Sequence, residues 1–211
     1  VVRLSIPAAL ERLVMRVGQV VYFGLIVAIG AKTFAAHSIA GNIEGFVYMP
    51  SYGLATAATT LVGNSTGALD FKEAKRVAIL SAAFGVLIMS FLGIILFVGS
   101  PYFAALFTSD AEAIDQIVTA LRIDAFNQPG LAISLITTGS LQGMGDTKSP
   151  LYSTAFGMWC LRIIGVIILG RVLGWGIAGV WVSIGIDLYI RSLFLAFRFR
   201  KNISARSHAS G

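Results

Sequence analysis

The sequence has 211 residues, 56% of them hydrophobic and only 12% charged, with a mean hydropathy of +0.83. Soluble domains carry about 25% charged residues, so too little polar surface remains to cover a soluble particle, and the same scarcity excludes intrinsic disorder. The net charge of +6 does not imply a nucleic-acid partner, because the basic residues sit mostly at the ends of apolar runs, and the single Cys160 excludes a disulfide scaffold or a multi-cysteine metal cluster.

A membrane-spanning helix needs about 20 mostly apolar residues, and six such runs follow one another. The first, 7–30, is too long for a signal peptide and lacks its basic start and cleavage site. Because the sequence opens on Val1 rather than Met, it is expected to be a piece of a longer chain. Glu11 lies beside Arg12 near one end of this run, with Gln19 deeper on the same broad face. The acid either snorkels to anchor the helix or serves a function.

The second run, 38–62, contains Pro50, which removes a backbone donor and predicts a kink. His37, Gly41, Glu44, Tyr48, Ser51, Ala55 and Thr59 recur every three or four residues and so share one helical face. Such a face either lines a hydrated cavity or bonds neighbouring helices. Gly63-Asn64-Ser65-Thr66-Gly67 matches the nucleophile-elbow pattern of hydrolases. That motif needs a strand-to-helix turn, absent here, so an intramembrane hydrolase is disfavoured. Asp70 and Glu73 have capping-box spacing before the third run, 74–99.

Ser109 and Glu112 have the same spacing before the fourth run, 114–140, in which Pro129 predicts a second kink. Asp124, Asn127, Gln128, Ser134 and Thr138 form a second polar stripe. Gly143 to Lys148 is glycine-rich without the order that cradles phosphates. Ser149-Pro150 supplies a predicted N-cap and first helical position for the fifth run, 150–170, where Cys160 reads as a small buried apolar residue. In the sixth, 177–199, Arg191 stands four residues after Asp187, an ion-pair spacing, and Arg162 is a second candidate partner. Arg162, Asp187 and Arg191 therefore read as structural ion pairs. His37 and His208 are too isolated for a metal site.

Arg3, Lys72, Lys75, Arg76, Lys148, Arg198, Arg200, Lys201 and Arg206 gather on one side of these runs, and only Lys32 and Arg171 on the other. Basic residues mark the cytoplasmic side, so both termini are expected there, in a multi-pass protein of the plasma (inner) membrane. The basic tail is a topology anchor that can also touch anionic lipid headgroups. A charge in mid-membrane costs about 2.5–3.5 kcal/mol, which makes Glu11, Glu44 and Asp124 the acids that need a partner, a cavity or a role.

An ordered set of motifs across the six runs resembles a known family. It includes Pro7-Ala8-Ala9-Leu10-Glu11, the stretch from Ala36 to Glu44, Met49-Pro50-Ser51-Tyr52-Gly53, Thr60 to Asn64, Gly67-Ala68 and Leu121-Arg122-Ile123. Gln128-Pro129, Gly139 to Thr147, and Gly179-Val180-Trp181 with Asp187 and Arg191 complete it. The chain resembles the C-terminal half of a multidrug and toxic compound extrusion (MATE) transporter, most like the prokaryotic DinF-like branch.

That resemblance implies an all-α membrane fold, a single six-helix lobe over 1–211 equivalent to helices seven to twelve of a two-lobe, twelve-helix transporter. It implies export of small organic cations or drugs, coupled to H+ or Na+, with no other cofactor and no catalytic residues. The expected partners are membrane lipid, the substrate and an N-terminal six-helix lobe, with no nucleic acid. The predicted cavity residues are Glu11, Gln19, Asn42, Glu44, Tyr48, Asp124, Asn127 and Gln128. Two departures stand out: Leu131 occupies a position where other branches carry an acid, and the main coupling acid of the DinF-like branch lies in the N-terminal lobe. A lipid-linked oligosaccharide flippase of related architecture is an alternative, its anionic substrate suited to Arg12, Arg16, Arg122 and Arg162. An inactive fragment or partner subunit is another.

Overall fold

The computed structural model describes residues 1–209, which form six helices and, among the described residues, no strand. They are α1 (Val2–Ile29), α2 (Ala31–Gly67), α3 (Phe71–Phe107), α4 (Ala111–Gly143), α5 (Lys148–Val172) and α6 (Ile177–Ala209). Most extend past the expected apolar runs, because a helix continues with polar residues after its apolar stretch ends. Four of them, α1, α3, α5 and α6, are long and apolar enough to cross a membrane. The other two carry the polar stripes, and they pack closely on each other.

The centre of the bundle is α4, which touches α2, α3 and α6, while α1 rests mainly on α5 and α2. The contact of α2 with α4 is backbone to backbone. A side chain at Gly143 would overlap the Thr59 carbonyl, so only glycine permits this approach. Burial is inverted relative to a soluble protein. Asp124, Gln128 and Asp187 are fully buried, whereas Phe84, Leu87, Phe91, Ile94 and Val98 of α3 are more than half exposed. A contiguous apolar exterior of this kind demands a non-aqueous solvent.

The turns differ from expectation in their details. Glu73 N–H donates to Asp70 Oδ1 (3.0 Å), but the Asp70 amide is taken by Ser65 C=O, so only half of that capping box forms. Asp110, not Ser109, caps α4 by accepting from Glu112 N–H, and the Glu112 carboxylate instead pairs with Lys32 (2.9 Å). This contact ties the start of α2 to the start of α4 and holds the exposed Lys32 ammonium above its usual range. Ser149 does not act as a capping acceptor; its amide and hydroxyl both donate to Asp146. Cys160, expected inside, is exposed.

Two turns end helices in the Schellman pattern, in which the two residues past the cap donate back to the last turn. After α4, Gly145 donates to Gln142 C=O and Asp146 to Leu141 C=O, with Gly145 at φ 86°. After α2, Leu69 donates to Thr66 C=O and Asp70 to Ser65 C=O, but here a leucine takes the left-handed position at φ 60°. The helix α5 begins as an α-helix over Lys148–Phe156, then winds as a π-helix over Gly157–Ile163 and Val166–Val172. No local residue pattern marks that looser winding.

Candidate substrate cavity

A cavity of about 380 Å³ opens between α1 and α2 and is closed by α5 and α6. Three of the sequence-predicted residues line it: Gln19 from α1, and Asn42 and Glu44 from α2. Arg162 and Trp181 reach it from α5 and α6. The half-buried Glu44 carboxylate has no hydrogen bond, and no cation within ion-pair distance, among the described residues. Of the two charged residues that line the cavity, Arg162 is paired and Glu44 is not. Gln19 accepts a long hydrogen bond from Arg16 (3.5 Å), leaving its amide group free to face inward.

Sequence reasoning missed most of the aromatic lining, having put only His37 on a candidate cavity face. Tyr22, Phe23, Phe34, His37 and Trp181 surround the polar groups, with His37 5.6 Å from the Tyr22 ring and 5.4 Å from Trp181. The available signal was periodicity, since Tyr22 and Phe23 lie three and four residues after Gln19 and so share its face. Rings in an apolar run read as core, and nothing local separates the two roles. Tyr22 OH, His37 Nδ1 and Trp181 Nε1 are buried without hydrogen-bond partners among the described residues. Buried polar groups are normally satisfied, so these three stand out in the wall.

The second stripe stands behind the wall. Asn127 donates to the Trp181 carbonyl (3.3 Å), and Gln128 donates to Asp124 Oδ2 (2.7 Å). Asp124 lies within electrostatic reach of Glu44. Asp124 Oδ1 and Gln128 Oε1 remain unbonded among the described residues. None of these three residues lines the cavity itself. Tyr48 lies one turn beyond Glu44 and stacks on Tyr52, with centroids 6.0 Å apart.

Glu11 also lies elsewhere. Its two oxygens accept from Thr154 (3.1 Å) and Gln142 (3.3 Å), which clasps α1 to α5 and α4. The partners are 143 and 131 residues away, and no local pattern could reveal them.

Arg162 joins the cavity to a buried charge cluster. Its Nε stands 2.9 Å from Asp187 Oδ2, and Arg191 contacts the same carboxylate at 2.8 and 2.9 Å. The predicted ion pairs therefore form, and one of their members doubles as a cavity wall. Gly157 makes the arrangement possible, because a side chain there would overlap Asp187 Oδ1.

At the basic end of the bundle, Asp146 gathers the turn between α4 and α5 onto α6. It accepts from Ser149 and from Asn202 (2.6 Å), and Arg198 donates to Ser149 (2.9 Å). Burial alone would raise the Asp146 carboxyl. The hydrogen bonds from Ser149 and Asn202, with Arg198 3.9 Å away, outweigh it and hold the group below its ordinary range.

A polar cavity within an apolar exterior is the arrangement of a multi-pass membrane protein. The MatE family profile matches residues 7–168, and the chain belongs to that family. A probable multidrug resistance protein NorM of Thermotoga maritima is 28% identical over 91% of this chain and 41% of its own. An uncharacterized transporter, YisQ, of Bacillus subtilis is 24% identical over 95% and 44%. Thus the chain spans about two-fifths of the length of these curated relatives. Among solved structures, a MATE protein in its straight conformation superposes with a TM-score of 0.90 at 20% identity, over 96% of this chain and 46% of that one. The shared fold is that of one lobe.

Proposed function

We propose that this chain is the C-terminal lobe of a multidrug efflux transporter, exchanging organic cations for H+ or Na+ across the plasma membrane. In this reading all six helices span the bilayer, the basic end faces the cytoplasm, and an N-terminal six-helix lobe completes the transport path. The observation that carries it is the Glu44 carboxylate, unpaired among the described residues, on a wall ringed by aromatic side chains. A carboxylate and ring faces together attract a flat organic cation. The same carboxylate can hold a proton or a metal cation instead, so drug and coupling ion compete for one site. Alternating exposure of that site to the two sides then gives antiport.

The names of the relatives, multidrug resistance proteins and transporters, support the same reading. Gln19 and Asn42 supply polar contacts beside Glu44. Asp124, Asn127 and Gln128 support the wall from behind, and Glu11 holds α1 in place. The test is ethidium efflux from drug-sensitive bacteria expressing this lobe with its N-terminal partner. Glu44→Gln should abolish most efflux at unchanged membrane abundance, and wild-type efflux from Glu44→Gln and Glu44→Ala would remove this site from transport.

A flippase for an anionic lipid-linked sugar is the second reading, favoured by the Arg162 guanidinium on the cavity wall. That guanidinium is already engaged by Asp187, which weakens the reading. Preferential binding of a polyprenyl pyrophosphate over ethidium would restore it.

A further inference from the structure

We propose that a trough on the outer face of the bundle, between α3 and α6, holds one anionic phospholipid. Its acyl chain would lie along the trough, and its phosphate between Lys75 and Arg200. The two helices each pack on α4 but scarcely meet each other. The gap between them is a trough of about 700 Å³, within the roughly 300–1,000 Å³ of ligand sites. It shares no residue with the Glu44 cavity.

Small side chains make the trough. Ala82 and Ala83 of α3 face Ala196 of α6, and Thr137 of α4 forms part of the floor. From Lys75 to Leu87 the α3 wall runs about 18 Å at 1.5 Å per residue. One leaflet of a bilayer has a hydrocarbon depth of about 15 Å. A single acyl chain therefore fits the length with its head at the basic end.

Charge selects the occupant. Lys75 and Arg200 line one end of the trough, both are exposed, and neither has an ion-pair partner among the described residues. Of the neighbouring cations, Arg76 pairs with Glu73 (3.7 Å) and Arg198 with Ser149 and Asp146, while Lys72 and Lys201 do not line the trough. Below Lys75 and Arg200 the lining is almost wholly apolar. A soluble anion would satisfy only the cations, and a neutral lipid only the trough. An anionic phospholipid satisfies both.

The test is native mass spectrometry of the purified full chain, titrated with phosphatidylglycerol, phosphatidylcholine or glycerol phosphate. One phosphatidylglycerol should be retained roughly thirtyfold more tightly than phosphatidylcholine, the effect of two cations beside an anionic headgroup. Lys75→Gln with Arg200→Gln should erase that preference, whereas Lys72→Gln with Lys201→Gln should keep it. Ala83→Phe fills the exposed wall without touching either cation and should lower retention of both lipids. Circular dichroism and melting temperature confirm that each variant folds. The proposal fails if the Lys75/Arg200 variant keeps its preference or if Ala83→Phe leaves retention unchanged. Displacement by glycerol phosphate as readily as by lipid, or exclusion of lipid by another protein seated in the trough, would equally overturn it.

Discussion

Arg162 and Asp187 meet at 2.9 Å where the π-wound part of α5 crosses α6, and the same carboxylate oxygen also serves Arg191 at 2.8 Å. One buried acid therefore serves two guanidiniums. Removing one partner of a buried ion pair leaves an uncompensated charge and costs about 3–5 kcal/mol, whereas replacing the whole group by apolar residues is often neutral. Asp187→Asn should thus sharply lower melting temperature and membrane yield. Combining it with Arg162→Leu and Arg191→Leu should recover much of that loss in thermal melts. An Asp187→Asn protein as stable as the parent would show that this carboxylate does not hold the two guanidiniums in place.

Gly157→Ala tests the same cluster through shape alone. The added methyl would overlap Asp187 and stand 2.7 Å from Arg191 Nη2. Overpacking of this kind costs about 1–3 kcal/mol. The melting temperature of Gly157→Ala should fall, while Gly53→Ala, where nothing lies within 4 Å, should change it little.

The two acids of α1 and α2 should separate cleanly. Glu11 is held by two hydrogen bonds that a glutamine can largely reproduce. Glu44 lies bare on the cavity wall. In efflux assays at matched abundance, Glu44→Gln should be severely impaired and Glu11→Gln nearly normal, whereas Glu11→Ala should lose stability by about 1–3 kcal/mol. Equal loss from both glutamine variants would mean that Glu11 also takes part in ion exchange.

How much of this was legible in the sequence depended on range. Apolar runs announced all six helices, and the four-residue spacing of Asp187 and Arg191 announced a pair, because both signals are local. Of the Glu44 stripe, His37, Gly41 and Glu44 line the cavity whereas Tyr48 does not, and Asn42 was named only through the family resemblance. Glu11 could not be read, since Thr154 and Gln142 reach it only after the bundle closes. The rings of Tyr22, Phe34 and Trp181 look the same in a sequence whether they fill a core or line a cavity. Cys160 was misjudged because a small apolar residue suits an inward face and a lipid-facing one equally well.

Acid should loosen the Asp146 clasp in a defined window. Because its carboxyl is held below the ordinary range, its contribution is complete above the unfolded value of about 3.9 and is lost as pH falls through the lower folded value. Asp146→Asn should cost about 1–2 kcal/mol near neutral pH, the scale of hydrogen bonds to a charged group. The gap between variant and parent in thermal melts should close below about pH 4. A gap that stays constant down to pH 3 would assign the effect to something other than ionisation.

Leu69 offers the opposite kind of change. A left-handed leucine costs about 1–2 kcal/mol, and this one is 70% exposed and so gains little from packing. Leu69→Gly should raise stability by about 0.5–1 kcal/mol after the extra unfolded-state entropy of glycine is subtracted. Thermal melts at matched detergent concentration measure it, and a destabilised variant would mean that the leucine side chain has a contact in the membrane.

The winding of α5 bears on where Arg162 sits. Two π-helical stretches flank Ile164 and Gly165, and π-turns are uncommon, concentrating at functional sites. Arg162 belongs to the first of them and touches both the cavity and Asp187. The loose winding thus sets the angle at which one guanidinium serves two neighbours at once.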